Sequence, residues 1–86
     1  MFKQKTHELK DLLLESKEFL TQLDYENALA LIENNEGVLA LELICEQLYE
    51  YDSQISHSLY SKIKAAGEQH KVEDRILNLV DRLKKD

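Results

Sequence analysis

Few side chains in this sequence are equipped for covalent or metal chemistry: one cysteine, Cys45, and three histidines, His7, His57 and His70. Cys45 lies among Leu41, Ile44 and Leu48, so it reads as a small buried hydrophobe, not a nucleophile. The histidines are far apart and match no metal-ligand spacing, and a lone cysteine excludes cysteine-rich zinc or iron–sulfur motifs. His57 sits between Ser56 and Ser58, an arrangement that superficially suggests a hydrolase. A triad, however, needs a base that reaches the nucleophile and is itself oriented by a third group. At this spacing Ser56 reads as a helix cap and His57 as a surface imidazole. Glu42 and Glu46 fall on one helical face, but no Glu-x-x-His joins them, as a di-iron bundle requires. A Gly-rich phosphate loop is also missing. The expectation is a protein that is not an enzyme and holds neither metal nor cofactor.

What remains is surface, and its charge is unevenly placed. The net charge of the 86 residues is -6. Residues 11–60 carry eleven acidic groups against Lys17 alone, while both ends are slightly basic. From Glu18 to Ser61 there is no Lys or Arg at all. Such a stretch repels phosphate backbones and attracts a basic surface, speeding association with it. Direct nucleic-acid binding is therefore not expected. Tyr49 lies between Glu46 and Glu50, outside the main apolar stripe. A tyrosine among carboxylates suits an interface, being large, stiff and able to hydrogen-bond. The candidate partner-binding residues are Glu42, Glu46, Tyr49, Glu50 and Asp52, with Asp24 and Glu26 adjoining.

The elements that must carry these residues are helices. With no Pro and two Gly, a turn-rich all-β fold is excluded, while Leu, Glu, Lys, Ala and Gln favour helix throughout. Leu9, Leu12, Leu13, Ser16, Phe19 and Leu20 recur at steps of three and four, predicting a first helix over 5–20 with Thr6 as its cap. Thr21–Asp24 reads as a joint, with Asp24 accepting amides of the next helix. Tyr25, Ala28, Leu29 and Ile32 define that short second helix, and Gly37 a tight corner after it. Residues 38–51 form the richest apolar segment, a helix expected to be central and covered by others. Glu42, Glu46 and Glu50 share its remaining face, where like charges at i,i+4 destabilise by a few tenths of a kcal/mol per pair. Ser56 caps a fourth helix, with Ile55 packed on Tyr60 as a hydrophobic staple, and Gly67 interrupts or ends it. A last helix over 72–84 shows Val72, Ile76, Leu79 and Leu83, with Val80 adjacent and Lys84 and Lys85 at its C-terminal end. The fold class is all-α: one domain over 1–86, a compact bundle of four to five short helices. No apolar run is long enough to span a membrane and no signal segment opens the chain. A cytoplasmic setting follows as the expectation.

The stretch Ala40-Leu41-Glu42-Leu43-Ile44-Cys45-Glu46-Gln47-Leu48-Tyr49-Glu50-Tyr51-Asp52 resembles the hallmark of the MafI-like bacterial immunity proteins. In these an Ala-Leu-Glu is followed by a Leu and Cys, then a Leu-x-Glu element, then a helix capped by Ile/Leu-Ser. Ile55-Ser56, Leu59-Tyr60 and Ile63 match the second part, and Ala66-Gly67 closes it. The resemblance spans about residues 20–83 and departs in the apolar residue before Cys45. It implies a small helical protein that binds a secreted toxin's C-terminal domain, often a nuclease, and blocks it. The implied partner is a toxin domain with a basic surface. Two other readings stay open from the sequence: a helical adaptor or regulatory subunit using an apolar groove, and a DNA-binding regulator reading through 56–69. Homodimerisation is open as well.

Overall fold

Leu9, Leu12 and Leu13 form a buried stripe that turns with the helical period, and Ser16 continues it. The Ser16 hydroxyl is wholly buried but satisfied, donating to the Leu12 carbonyl at 2.9 Å. This stripe belongs to α1 (Phe2–Ser16), which a single 3-10 turn (Lys17–Phe19) follows. Then come α2 (Gln22–Glu33), α3 (Gly37–Glu50), α4 (His57–Gln69) and α5 (Asp74–Asp81). The structure, a computed structural model, describes residues 2–85, with side chains from Thr6 onward. Within them the chain is an all-α bundle of five short helices. Helix α3 is central. Ala40, Leu41, Ile44, Cys45 and Leu48 are fully buried on its inner side, and all four other helices pack against it.

The helix ends follow a rule the glycines conceal. Asn35, Asp52 and Lys71 have φ of 64°, 52° and 63°. Each is the residue just past the C-cap of α2, α3 and α4 respectively. In each case the amide one residue further on reaches back five positions: Glu36 to Leu31 at 2.7 Å, Ser53 to Leu48 at 3.0 Å, Val72 to Gly67 at 2.8 Å. The left-handed residue itself donates three positions back. Three helices thus end in Schellman motifs without glycine at the left-handed position.

Several expectations are corrected accordingly. Gly37 is not a corner residue; it is the first residue of α3, and a Cβ there would come within 3.0 Å of both Leu9 and His70. Gly67 neither ends nor interrupts α4. It lies inside that helix, where a Cβ would meet Leu77 Cδ2 at 2.5 Å. Glycine there sets how closely α4 and α5 approach. Helix α1 stops at Ser16, short of Leu20, because the chain tightens into the 3-10 turn. Thr6 is inside α1, so it does not cap it. The joint before α2 is shorter than 21–24, since Thr21 is already the N-cap. Helix α5 is shorter than 72–84, and its buried face uses Leu77 where Leu79 was expected. Lys84 and Lys85 lie beyond it, in an extended segment that pairs with Ile55. The Ile55 amide donates to Leu83 at 3.0 Å and its carbonyl accepts from Lys85 at 2.8 Å. The Ser56 cap is present, its hydroxyl accepting the Leu59 amide at 3.0 Å.

A lysine in the left-handed region carries a steric penalty that glycine avoids. Lys71→Gly is expected to stabilise the protein by about 1 kcal/mol, raising Tm by about 4–8 °C for a domain of this size. Thermal unfolding followed by circular dichroism checks this; an unchanged or lower Tm would count against the Schellman assignment.

Candidate protein-docking face

Because Ala40, Leu41, Ile44, Cys45 and Leu48 all turn inward, the residues half a turn away must face outward. Those are Leu39, Glu42, Leu43, Glu46, Tyr49 and Glu50. Glu46 and Glu50 are exposed, Glu42 and Leu43 half-buried. Leu39 is 49% exposed and Tyr49 42%. Asp52 follows directly, exposed at the left-handed end of the helix. The structure therefore gathers Glu42, Glu46, Tyr49 and Glu50 on the outer side of α3, with Asp52 exposed just past its end.

Among the described residues no ion pair joins these carboxylates to a Lys or Arg; the salt bridges present join other groups, such as Lys10 with Glu33 and Arg75 with Glu73. The acids at the C-terminal end also meet the negative end of the α3 dipole. Local electrostatics therefore disfavours them there twice over, by mutual repulsion and by the dipole. Beneath them, burial and the charges of Glu46 and Glu42 push the Cys45 thiol up to about 12. It stays protonated at neutral pH and has the character of a core residue.

Asp24 and Glu26 are used differently. Asp24 is only 8% exposed. It is the third residue of α2, and with Thr21 it completes a capping box: its own amide donates to Thr21 Oγ1 at 3.0 Å, and its carboxylate accepts the Thr21 amide at 3.3 Å. The same carboxylate accepts from Gln47 Nε2 at 3.1 Å and Tyr51 Oη at 2.6 Å, both on or just past α3. It is a knot that ties the start of α2 to the end of α3. Glu26 is exposed and accepts from Gln22 at 2.9 Å on its own helix.

Sequence reading missed Gln47 and Tyr51 as partners of Asp24, and it missed Leu39 and Leu43 as part of the outer face. The signal for the knot was present: Thr21-x-x-Asp24 is the capping-box pattern, which places a carboxylate at a fixed point of the first turn. Tyr51 is 42% exposed, and its hydroxyl is what the fold uses.

Metal chemistry finds no set of ligands among the described residues: no three His, Cys, Asp or Glu side chains converge. No helix among them is long and apolar enough to cross a membrane. Compared with known protein families, curated proteins and solved structures, the chain matches none.

The hydrogen bond from Tyr51, with those from Gln47 and Thr21, holds the Asp24 carboxyl below the ordinary aspartate range, against the opposing effect of its burial. The same bond pushes the Tyr51 phenol up. A depressed carboxyl stabilises the fold fully above its unfolded pKa, and that contribution is lost as pH falls through the lower folded value. A raised phenol stabilises below its unfolded pKa and loses this as pH rises through the folded one. Tyr51→Phe is expected to lower stability at neutral pH. It should also flatten the acid limb of the stability–pH curve, while Asp24→Ala costs about 1–3 kcal/mol. Urea unfolding from pH 2 to 8 reads both; an acid limb unchanged by Tyr51→Phe would show that the bond does not set the Asp24 titration.

Proposed function

We propose that this chain is an immunity protein that binds a bacterial toxin domain and neutralises it by stoichiometric inhibition, without chemistry of its own. The observation that carries the reading is the outer edge of α3 and its end, where among the described residues Glu42, Glu46, Glu50 and Asp52 stand unpaired by Lys or Arg near an exposed Tyr49. Charges placed where they weaken their own helix are understood most simply as serving a partner. An exposed tyrosine and leucine among them supply the apolar anchors a purely electrostatic contact lacks. The partner this edge fits has a basic surface, as a nuclease cleft must have to hold phosphates. The motif likeness of residues 40–52 to the MafI-like immunity proteins is what points to a toxin domain in particular. Rapid capture suits such a task, because long-range attraction accelerates encounter. Neutralisation is expected to take place in the cytoplasm of the producing cell.

Co-expression of the chain with the product of the neighbouring gene, followed by pull-down and a growth-protection assay, tests the proposal. Protection and a stable one-to-one complex are expected. Reversing charge at Glu46, Glu50 and Asp52 together is expected to weaken binding at least tenfold at low salt and to reduce its salt dependence. Unchanged affinity in that triple variant would remove α3 from the interface. Failure of the adjacent gene product to bind or to be neutralised would remove the immunity reading.

A further inference from the structure

Helices α1 and α4 pack against each other, and two depressions lie beside their contact. One depression of about 340 Å³ is lined by buried Leu12, half-buried Ala66 and exposed Ala65, with Glu8, Asp11, Lys62 and Gln69 around them. A second, more polar one of about 470 Å³ lies at the end of α1 and the start of α4, where Leu14, Phe19 and Leu59 meet Glu18, Gln54 and Ser56. The Lys62 ammonium reaches across to the Glu15 carboxylate, so a single ion pair crosses the seam between the two depressions. That pair is solvent-exposed on both sides and is therefore weak.

Three features of the seam point the same way. Glu8, Asp11 and Glu15 recur at steps of three and four along one edge of α1, and Glu18 follows in the 3-10 turn. Among the described residues Lys62 pairs with Glu15, His7 lies 3.5 Å from Asp11, and Lys85 lines the second depression beside Glu18. Leu14 lies off the buried stripe of α1 and is 59% exposed, with its side chain at the second depression. Ala65 and Ala66 are small enough to let another backbone approach closely, as packed helices require. A partly apolar depression with an acidic edge about two helical turns long is complementary to a helix with apolar residues on one side and Lys or Arg beside them.

We propose that the α1–α4 seam is a docking groove for a cationic amphipathic helix of a partner protein. The apolar side of that helix lies on Leu12, Leu14, Ala65 and Ala66. Its basic side chains meet the α1 carboxylates, one of them displacing Lys62 from Glu15. The seam is a different surface from the outer edge of α3, and its occupancy does not depend on the immunity reading.

The test uses the full chain, isotopically labelled, and a synthetic 14-residue helix of leucine, lysine and arginine with its apolar and basic residues segregated. A scrambled peptide of the same composition is the control. Amide shifts are expected along 8–18 and 58–69, with the scrambled peptide at least tenfold weaker. Ala65→Glu, at an exposed position that tolerates a larger side chain, is expected to weaken binding at least tenfold while leaving the melting curve in place. Leu14→Gln provides a second block should Ala65→Glu disturb α4. Lys62→Ala frees Glu15 and is expected to tighten binding severalfold. The proposal is overturned by shifts confined to α3, by equal binding of the scrambled peptide, or by no binding. Sedimentation showing self-association through α1 and α4 would overturn it too, assigning the seam to a second copy of the chain.

Discussion

Burial of one face of α3 is the constraint from which most of the molecule follows. Ala40, Leu41, Ile44, Cys45 and Leu48 are inaccessible to solvent, and each large apolar side chain removed from water contributes on the order of 1.5–3 kcal/mol. That fixes the rotation of the helix about its axis. Turning it by a single residue step, 100°, would draw Glu42 or Glu46 toward the core, where an unpaired carboxylate is far more expensive than the repulsion it escapes. The acidic outer edge is therefore a consequence of the core in its geometry. Its composition is not: glutamine or lysine at 42, 46 and 50 would serve the core equally and the helix better. The core determines where the edge points, and something other than stability determines what stands on it.

The same division appears at the helix ends. Left-handed positions go to Asn35, Asp52 and Lys71, while both glycines are spent on close packing, Gly37 against Leu9 and His70 and Gly67 against Leu77. A chain with only two glycines uses them where a Cβ would collide with a neighbour, and accepts strain at the exposed turns. Exposed turns tolerate this because their hydrogen bonds are complete. The Asp24 carboxylate addresses the opposite end, accepting the Thr21 amide at the start of α2, and it also reaches α3 through Gln47 and Tyr51. The pairing of α2 with α3 thus rests on apolar contact inside and on one carboxylate at its edge.

How much of this was legible in the sequence depended on the range of the interaction. Helical periodicity is local, and it placed five helices and the inner stripe of α3, including Cys45. The Ser56 cap is equally local and was readable. Glycine misled because its two uses, freedom at a turn and absence of a side chain, look alike in sequence; only the neighbour across the gap, Leu77 or His70, tells them apart. Leu79 and Leu77 were exchanged because α5 is short and ends at Asp81, after which the chain extends to pair with Ile55. On the outer edge, Glu46, Tyr49 and Glu50 were readable as exposed, but the role of Asp24 was not. Its partners lie 23 and 27 residues away, and no local pattern announces a contact of that separation.

The two acidic surfaces differ in a way that bears on how each would work. On the α3 edge the carboxylates are, among the described residues, unpaired by Lys or Arg and close to the negative end of a helix dipole, so their field extends into solvent and acts before contact. Along the α1–α4 seam Glu15 is already paired with Lys62, and the partly apolar depression is recessed, so little is gained until a partner is seated. The first arrangement favours rapid encounter and is weakened by salt; the second favours residence and depends on shape. A single partner engaging both would be drawn in by α3 and retained by the seam. A partner using only α3 would bind quickly and leave as its ion pairs are screened. Salt therefore separates the two contributions, since the Debye length shrinks from about 10 Å at 0.1 M to about 3 Å at 1 M, a change that removes long-range attraction and leaves apolar contact in place.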